Sequence, residues 1–119
     1  MDELLRRRQM MSGGNVPPPN QIWYTTTDEQ IITPSGFTIL SNTYRNGVGK
    51  IVTNKKITSI PLRAFRGITT IKTVILPDSV VEISSYAFND SSIEEVLCSN
   101  LKTIGDCNYS GTPAIGNNL

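Results

Sequence analysis

Residues 57–65 read ITSIPLRAF and residues 80–88 read VVEISSYAF. Ile57 and Val80, Ile60 and Ile83, Ala64 and Ala87, and Phe65 and Phe88 each stand 23 residues apart, so one phrase is spoken twice. Self-similarity at a period of roughly 20 to 50 residues marks a repeat architecture, in which a unit that cannot bury its own apolar face buries it against its neighbour. The expected fold is mostly β, a short solenoid of about two to three coils, preceded by an N-terminal β cap and an extended leader.

The units extend to both sides of the phrase. Ile51-Val52-Thr53 stands six residues before Ile57, Val74-Ile75-Leu76 six before Val80, and Val96-Leu97-Cys98 five before Leu101. Each unit then holds a short strand, a turn, a second extended piece and an Ala-Phe corner. Alternation of side chains along a strand turns Ile51, Val74 and Val96 inward and stacks Ile57, Val80 and Leu101, then Ile60, Ile83 and Ile104, in columns. Ile57, Ile60, Phe65, Val74, Leu76, Val80, Ile83 and Phe88 are the expected core. Ala64 and Ala87 have to be small where the chain bends. In the third unit the corner fails, because Asn108 and Tyr109 stand where Ala and Phe belong. The tail from Gly111 to Leu119 either folds back across the end, with Ile115 and Leu119 as plugs, or leaves that end to another chain.

Upstream, Ile22-Trp23-Tyr24-Thr25-Thr26 and Gln30-Ile31-Ile32-Thr33 read as strands around a turn at Thr27-Asp28-Glu29, and Pro34-Ser35-Gly36 breaks the chain. A further extended run from Phe37 to Arg45 closes on Asn46-Gly47, a hairpin signal because both residues tolerate positive φ, and leads into Val48–Thr53. Trp23 and Tyr24 are neighbours on a strand, so one can be buried while the other is exposed as a contact. Residues 1–11, MDELLRRRQMM, can form a short helix with acids in the first turn and Arg6, Arg7 and Arg8 after them. Leu4, Leu5, Arg8 through its aliphatic stem, and Met11 would share a face. Ser12-Gly13-Gly14 ends that stretch and Pro17-Pro18-Pro19 follows as a stiff spacer. Residues 1–20 are thus a tail or a docking peptide, and residues 21–119 are the folded part, with repeats over about 51–106 and a C-terminal tail at 107–119.

The 119 residues suffice for one small domain, and a net charge of +1 gives no overall reason to expect nucleic-acid or membrane binding. The distribution is uneven. Between residues 30 and 77 there is no acid and seven bases; between 78 and 106 six acids face Lys102 alone. The absence of histidine removes the commonest general base and most zinc sites, so neither an enzyme nor a cofactor is expected. No stretch approaches membrane-spanning length, and the apolar run of a signal peptide is missing.

The remaining chemistry reads as packing or solvated surface. Cys98 aligns with Leu76 and Thr53 at a core position, so a buried free thiol competes with a disulfide to Cys107, which aligns with Tyr86 at the corner. Glu94 and Glu95 are adjacent and point to opposite faces of a strand, the wrong arrangement for an acid/base pair. Gly47-Val48-Gly49 is too short for a phosphate loop, and the Lys50–Lys72 basic run lacks the aromatic interleaving of a nucleic-acid surface.

Ile71, Val74, Leu76, Pro77, Asp78, Ser79, Val80, Ile83, Ala87 and Phe88 resemble the BspA-like leucine-rich repeat family, whose units of roughly 23 residues carry a Val-x-x-Ile, an Ala-Phe corner and a strand ending in Pro. The resemblance covers residues 51–106. It departs from the pattern after the corner, where Gly67-Ile68 and Asp90-Ser91 replace the usual Gly-Cys. Trp23-Tyr24-Thr25, Asp28, Ile32, Pro34, Ser41-Asn42-Thr43-Tyr44 and Asn46-Gly47-x-Gly49 look like the block that precedes such repeats in proteins of anaerobic gut bacteria and their phages.

The resemblance implies a non-catalytic structural or interaction protein. The expected role is a phage virion component, in capsid decoration or in a tail fibre, assembled in the host cytoplasm and docked through Leu4, Leu5, Arg6, Arg7, Arg8 and Met11, with Trp23 and Tyr24 as further contacts. The alternative is a bacterial cell-surface or secreted adhesion module. Its partners would be proteins of a larger assembly, a second copy through the basic and acidic halves, or a host-surface ligand, without nucleic acid or membrane insertion. Truncating Phe65 or Phe88 to Ala is expected to cost about 3 to 5 kcal/mol in a urea denaturation series.

Overall fold

The structure, a computed structural model, describes residues 16–105 and 114–116. It is mostly β: β1 (Gln21–Thr26), β2 (Ile39–Arg45), β3 (Val48–Thr53), β4 (Ser59–Ile60), β5 (Ile71–Ile75), β6 (Glu82–Ile83), β7 (Glu95–Leu97), β8 (Thr103–Ile104) and β9 (Ala114–Gly116), with no helix among the described residues. They form a six-stranded sheet in the order β2-β3-β1-β5-β7-β9 and a three-stranded sheet in the order β4-β6-β8.

The repeat generates two parallel ladders. Ser59 lies beside Glu82 and Glu82 beside Thr103 in the small sheet, while Thr73 lies beside Glu95 and Glu95 beside Ala114 in the large one. The step along the chain shortens, from 23 residues to 21 in the first ladder and from 22 to 19 in the second. The C-terminal tail therefore contributes one more rung, β9, beside β7. Of its expected plugs, Ile115 stands in register with Val96, and Leu119 lies outside the described residues, as do Cys107, Asn108 and Tyr109.

Between the ladders the chain turns at the Ala-Phe corners. Ala64, Phe65, Ala87 and Phe88 are buried, and the two phenyl rings stack at 5.1 Å between centroids and 12° between planes. The N–H groups of Arg63, Phe65 and Gly67 donate to the carbonyls of Ser85, Ala87 and Asn89 at 3.2, 2.6 and 2.8 Å, so even the corners are bonded from one unit to the next. Arg63 and Tyr86 both have positive φ, as do Gly67 and Asp90. The 23-residue register thus extends to left-handed backbone positions that the apolar pattern does not mark. Ile57, Ile60, Phe65, Val74, Leu76, Val80, Ile83 and Phe88 all lie in one buried cluster with Ile51 and Val96.

Four expectations change. Ile51–Thr53 does not sit beside Val74–Leu76: β1 lies between β3 and β5, antiparallel to both, so the cap is built into the sheet. Gln30–Thr33 is not a strand, because side chains hold its backbone: the Ile32 N–H donates to the Tyr24 hydroxyl at 3.3 Å and its carbonyl accepts from Asn42 Nδ2 at 2.7 Å. Ile104 is in register with Ile83 yet 43 % exposed, since β8 is an edge, and Leu101 is only partly buried. Pro17–Pro19 is not a free spacer. Pro17 is buried, the Pro19 carbonyl accepts from the Ile57 N–H at 2.8 Å, and the Asn20 carbonyl accepts from the Thr53 N–H at 2.8 Å. The expected short helix at 1–11 lies outside the described residues.

The Asn46-Gly47 hairpin forms as read, with φ of 53° and 80° and Arg45 opposite Val48. Two glycines differ in what a side chain would meet. At Gly49 the Tyr24 ring occupies the place of a Cβ, whereas at Gly67, φ 74°, the space is open and a side chain meets only the cost of left-handed backbone, which Asp90 bears one unit later. Gly67→Ala should therefore cost about 1 to 2 kcal/mol, and Gly49→Ala, which displaces a packed ring, about 3 kcal/mol. Urea midpoints of the two variants check both values.

Candidate functional site

The cap is held by one aromatic-polar knot. Tyr24, fully buried on β1, donates from its hydroxyl to Asn42 Oδ1 at 2.7 Å and accepts from the Ile32 N–H; Asn42 closes the triangle on the Ile32 carbonyl. The Tyr44 ring packs at 5.9 Å from that of Tyr24, and its hydroxyl accepts from the Thr26 N–H at 3.2 Å. Tyr24 is therefore a keystone and not an exposed partner contact, because the bare backbone of Gly49 lets its ring lie across the neighbouring strand.

Trp23 points the other way. It stands in register with Ile75, and Ile75 with Leu97, making an apolar row on the face of the large sheet opposite the main core. Ile75 and Leu97 form a second small cluster with Val16 and Trp23. The Trp23 indole N–H donates to Gln21 Oε1 at 3.0 Å, and Lys50 Nζ sits 4.8 Å from the ring centroid as a cation over a π face. One step along the strands, Thr25 stands beside Thr73; both side chains are buried and neither hydroxyl has a hydrogen-bond partner among the described residues.

Other apolar groups lie open on the cap and first unit: Leu40 on the edge strand β2, Leu62 at the first corner and Ile31 in the β1–β2 connection. A cavity of about 300 Å³ between Gly36–Thr38 and Thr53–Ser59 is lined by Lys55 and Lys56 and by no carboxylate or thiol. Among the described residues no group of three or more Cys, Asp and Glu is placed to hold a metal ion. Leu4, Leu5, Arg6, Arg7, Arg8 and Met11 lie outside the described residues. The basic and acidic halves are adjacent within one molecule, because the register sets Thr73 beside Glu95 and the Glu94 N–H bonds to the Lys72 carbonyl at 2.8 Å.

Cys98 is a buried free thiol that donates to the Val80 carbonyl at 3.5 Å. Burial pushes its pKa up, against hydrogen bonds from the Asn100 and Leu101 backbone, so it is a poor nucleophile at neutral pH. Sequence reading missed Asn42, Pro19 and Asn20 as structural residues. Asn42 bonds the Tyr24 hydroxyl from two strands away, a relation visible only once the β1–β3–β2 order is known, and Pro19 and Asn20 act through backbone carbonyls that carry no side-chain signal.

The two ladders define a parallel-β repeat protein. The model of the BspA type leucine rich repeat region (6 copies) matches residues 25–117, and the chain belongs to that family. Leucine-rich repeat modules of this kind are in general non-enzymatic and serve protein interaction. No curated protein and no solved structure matches the chain.

Burial also raises the Tyr24 pKa, more than the hydrogen bond from Ile32 lowers it. The fold thus favours the protonated phenol, and its contribution is complete below the unfolded value of about 10 and falls as pH rises above it. Tyr24→Phe should lose about 1 to 3 kcal/mol at pH 7 through the unpaired Ile32 and Asn42 groups. It should also flatten the loss of stability as pH rises above about 10. Urea midpoints against pH for both proteins check the two effects together.

Proposed function

We propose that this chain is a non-catalytic interaction module: a short solenoid of two to three coils of about 23 residues, made to occupy a place in a larger protein assembly. The observation that carries the reading is the double ladder, in which Ile60/Ile83 and Phe65/Phe88 are spent on packing unit against unit while charged side chains remain outside. The assembly contact is the N-terminal stretch, with Leu4, Leu5 and Met11 as apolar anchors and Arg6, Arg7 and Arg8 as charge-assisted donors to acidic groups. Trp23 and the open Leu40, Leu62 and Ile31 are the contacts of the body.

The assembly is a phage particle, where the protein decorates the capsid or belongs to a tail fibre; the similarity of the Trp23–Gly49 block to segments in proteins of gut-bacterial phages supports this. The same block also resembles bacterial proteins, so an adhesion module of the cell surface is the second reading. Mass spectrometry separates them. In the first case the protein is found at fixed stoichiometry in purified particles from the producing culture, and in the second only in the cell-envelope or secreted fraction. Pairing between copies through the basic and acidic halves should make oligomerisation salt-sensitive. Light scattering that shows one salt-independent monomer would remove that contact.

A further inference from the structure

The cavity of about 300 Å³ at the join of the cap and the first unit has two walls that are fastened to each other. One wall is the loop of Gly36, Phe37 and Thr38, and the other is the turn that follows β3. The Ser35 N–H donates to the Ala64 carbonyl at 2.8 Å, and the Asn54 N–H donates to the Thr38 carbonyl at 3.1 Å. At Gly36, φ 89°, a Cβ would lie 2.8 Å from the Pro61 side chain, so a larger residue would push the loop off the first unit. The hollow is thus preformed.

Its polar lining is biased toward donors. Lys55 and Lys56 both line it, no carboxylate does, and among the described residues neither ammonium has an ion-pair partner. Two carbonyls of the turn are already occupied: that of Lys55 accepts from the Thr53 hydroxyl at 2.8 Å, and that of Ile57 accepts from Ser79 Oγ at 2.6 Å. The ammonium groups can only donate, and Asn54, Thr58 and Ser59 beside them can donate or accept. Half-buried Phe37, packed on the core, supplies an apolar side. The repeat offers its own comparison. One unit later Asp78 and Ser79 stand where Lys55 and Lys56 do, and the hollow there is lined by Asp78 and Lys102, one charge of each sign. The dibasic turn is therefore no by-product of the repeat; it occurs where the cap loop adds a second wall.

We propose that this cavity is a binding site for an acidic sugar, a pyranose that carries a carboxylate. The carboxylate sits with Lys55 and Lys56, the ring hydroxyls meet Asn54, Thr58 and Ser59, and the C–H face of the ring packs on Phe37. Charge-assisted hydrogen bonds to the carboxylate set the preference over a neutral sugar. A small anion would leave most of the hollow to water, whose share of liquid volume is about 30 Å³ per molecule. The site adds a ligand to the body of an interaction module and does not rest on which assembly the chain joins.

An NMR titration of the isotopically labelled full chain with sodium glucuronate and with N-acetylneuraminate tests the site. At least one of the two should shift the amides of residues 36–38 and 54–59 saturably. Glucose, and sodium acetate at matched ionic strength, should bind at least about tenfold more weakly. The double variant Lys55→Gln, Lys56→Gln, which changes two exposed side chains, should keep the urea midpoint and lose at least about tenfold in affinity. Lys102→Gln, in the other hollow, should leave the affinity unchanged. Absence of saturable shifts at these amides with both acids overturns the proposal. So does acetate binding as tightly as the sugar acids, which would mean a bare anion contact, or an equal loss in Lys102→Gln, which would mean diffuse attraction to surface charge.

Discussion

The stacked rings of Phe65 and Phe88 fix the spacing on which the rest of the molecule depends. Two phenyl groups with nearly parallel planes hold the corners of successive units at one separation. At that separation the Phe65 N–H reaches the Ala87 carbonyl and the Gly67 N–H reaches that of Asn89. The same step continues into β4–β6 and β5–β7, so backbone pairing and side-chain stacking share one register. Ala64 and Ala87 leave room for the bend, and left-handed backbone at Arg63, Tyr86, Gly67 and Asp90 supplies its direction.

The cap solves a different problem. The first unit has no preceding unit to cover it, and β3 alone would not close its apolar side. Inserting β1 between β3 and β5 turns a parallel ladder into a mixed sheet and carries Ile22 and Tyr24 into the core. Tyr24 then needs somewhere to lie, which Gly49 provides, and something to bond, which Ile32 and Asn42 provide. The Pro17–Asn20 stretch finishes the join by bonding Thr53 and Ile57, groups that would otherwise face an unpaired edge.

What could be read in the sequence is what repeats. The pairs Ile60/Ile83 and Phe65/Phe88 gave the parallel register, and Asn46-Gly47 gave its hairpin, because these signals are local or recur at fixed spacing. The insertion of β1 was not legible: Ile51-Val52-Thr53 has the same texture as Val74-Ile75-Leu76, and nothing in alternation says that a strand from thirty residues earlier comes between them. Ile32 looked like a strand residue for the same reason, although its backbone is bonded by two side chains remote in sequence. Of the two aromatic neighbours, alternation showed that Trp23 and Tyr24 face opposite ways but not which is inside. Gly49, opposite Tyr24 in register, decides it.

Under the proposed function, contacts fall on the surfaces left over when units have packed. The ladders use the repeated side chains, and the partner surfaces of that proposal are the Trp23 face, the open edge of the cap and the N-terminal stretch. All of this rests on the two units being energetically coupled through their corners. A double-mutant cycle on Phe65→Leu and Phe88→Leu, read by urea denaturation, measures that coupling. The stack requires the loss in the double variant to fall short of the sum of the two single losses by about 1 kcal/mol. Strictly additive losses would mean that the rings do not support each other and that the register is set elsewhere.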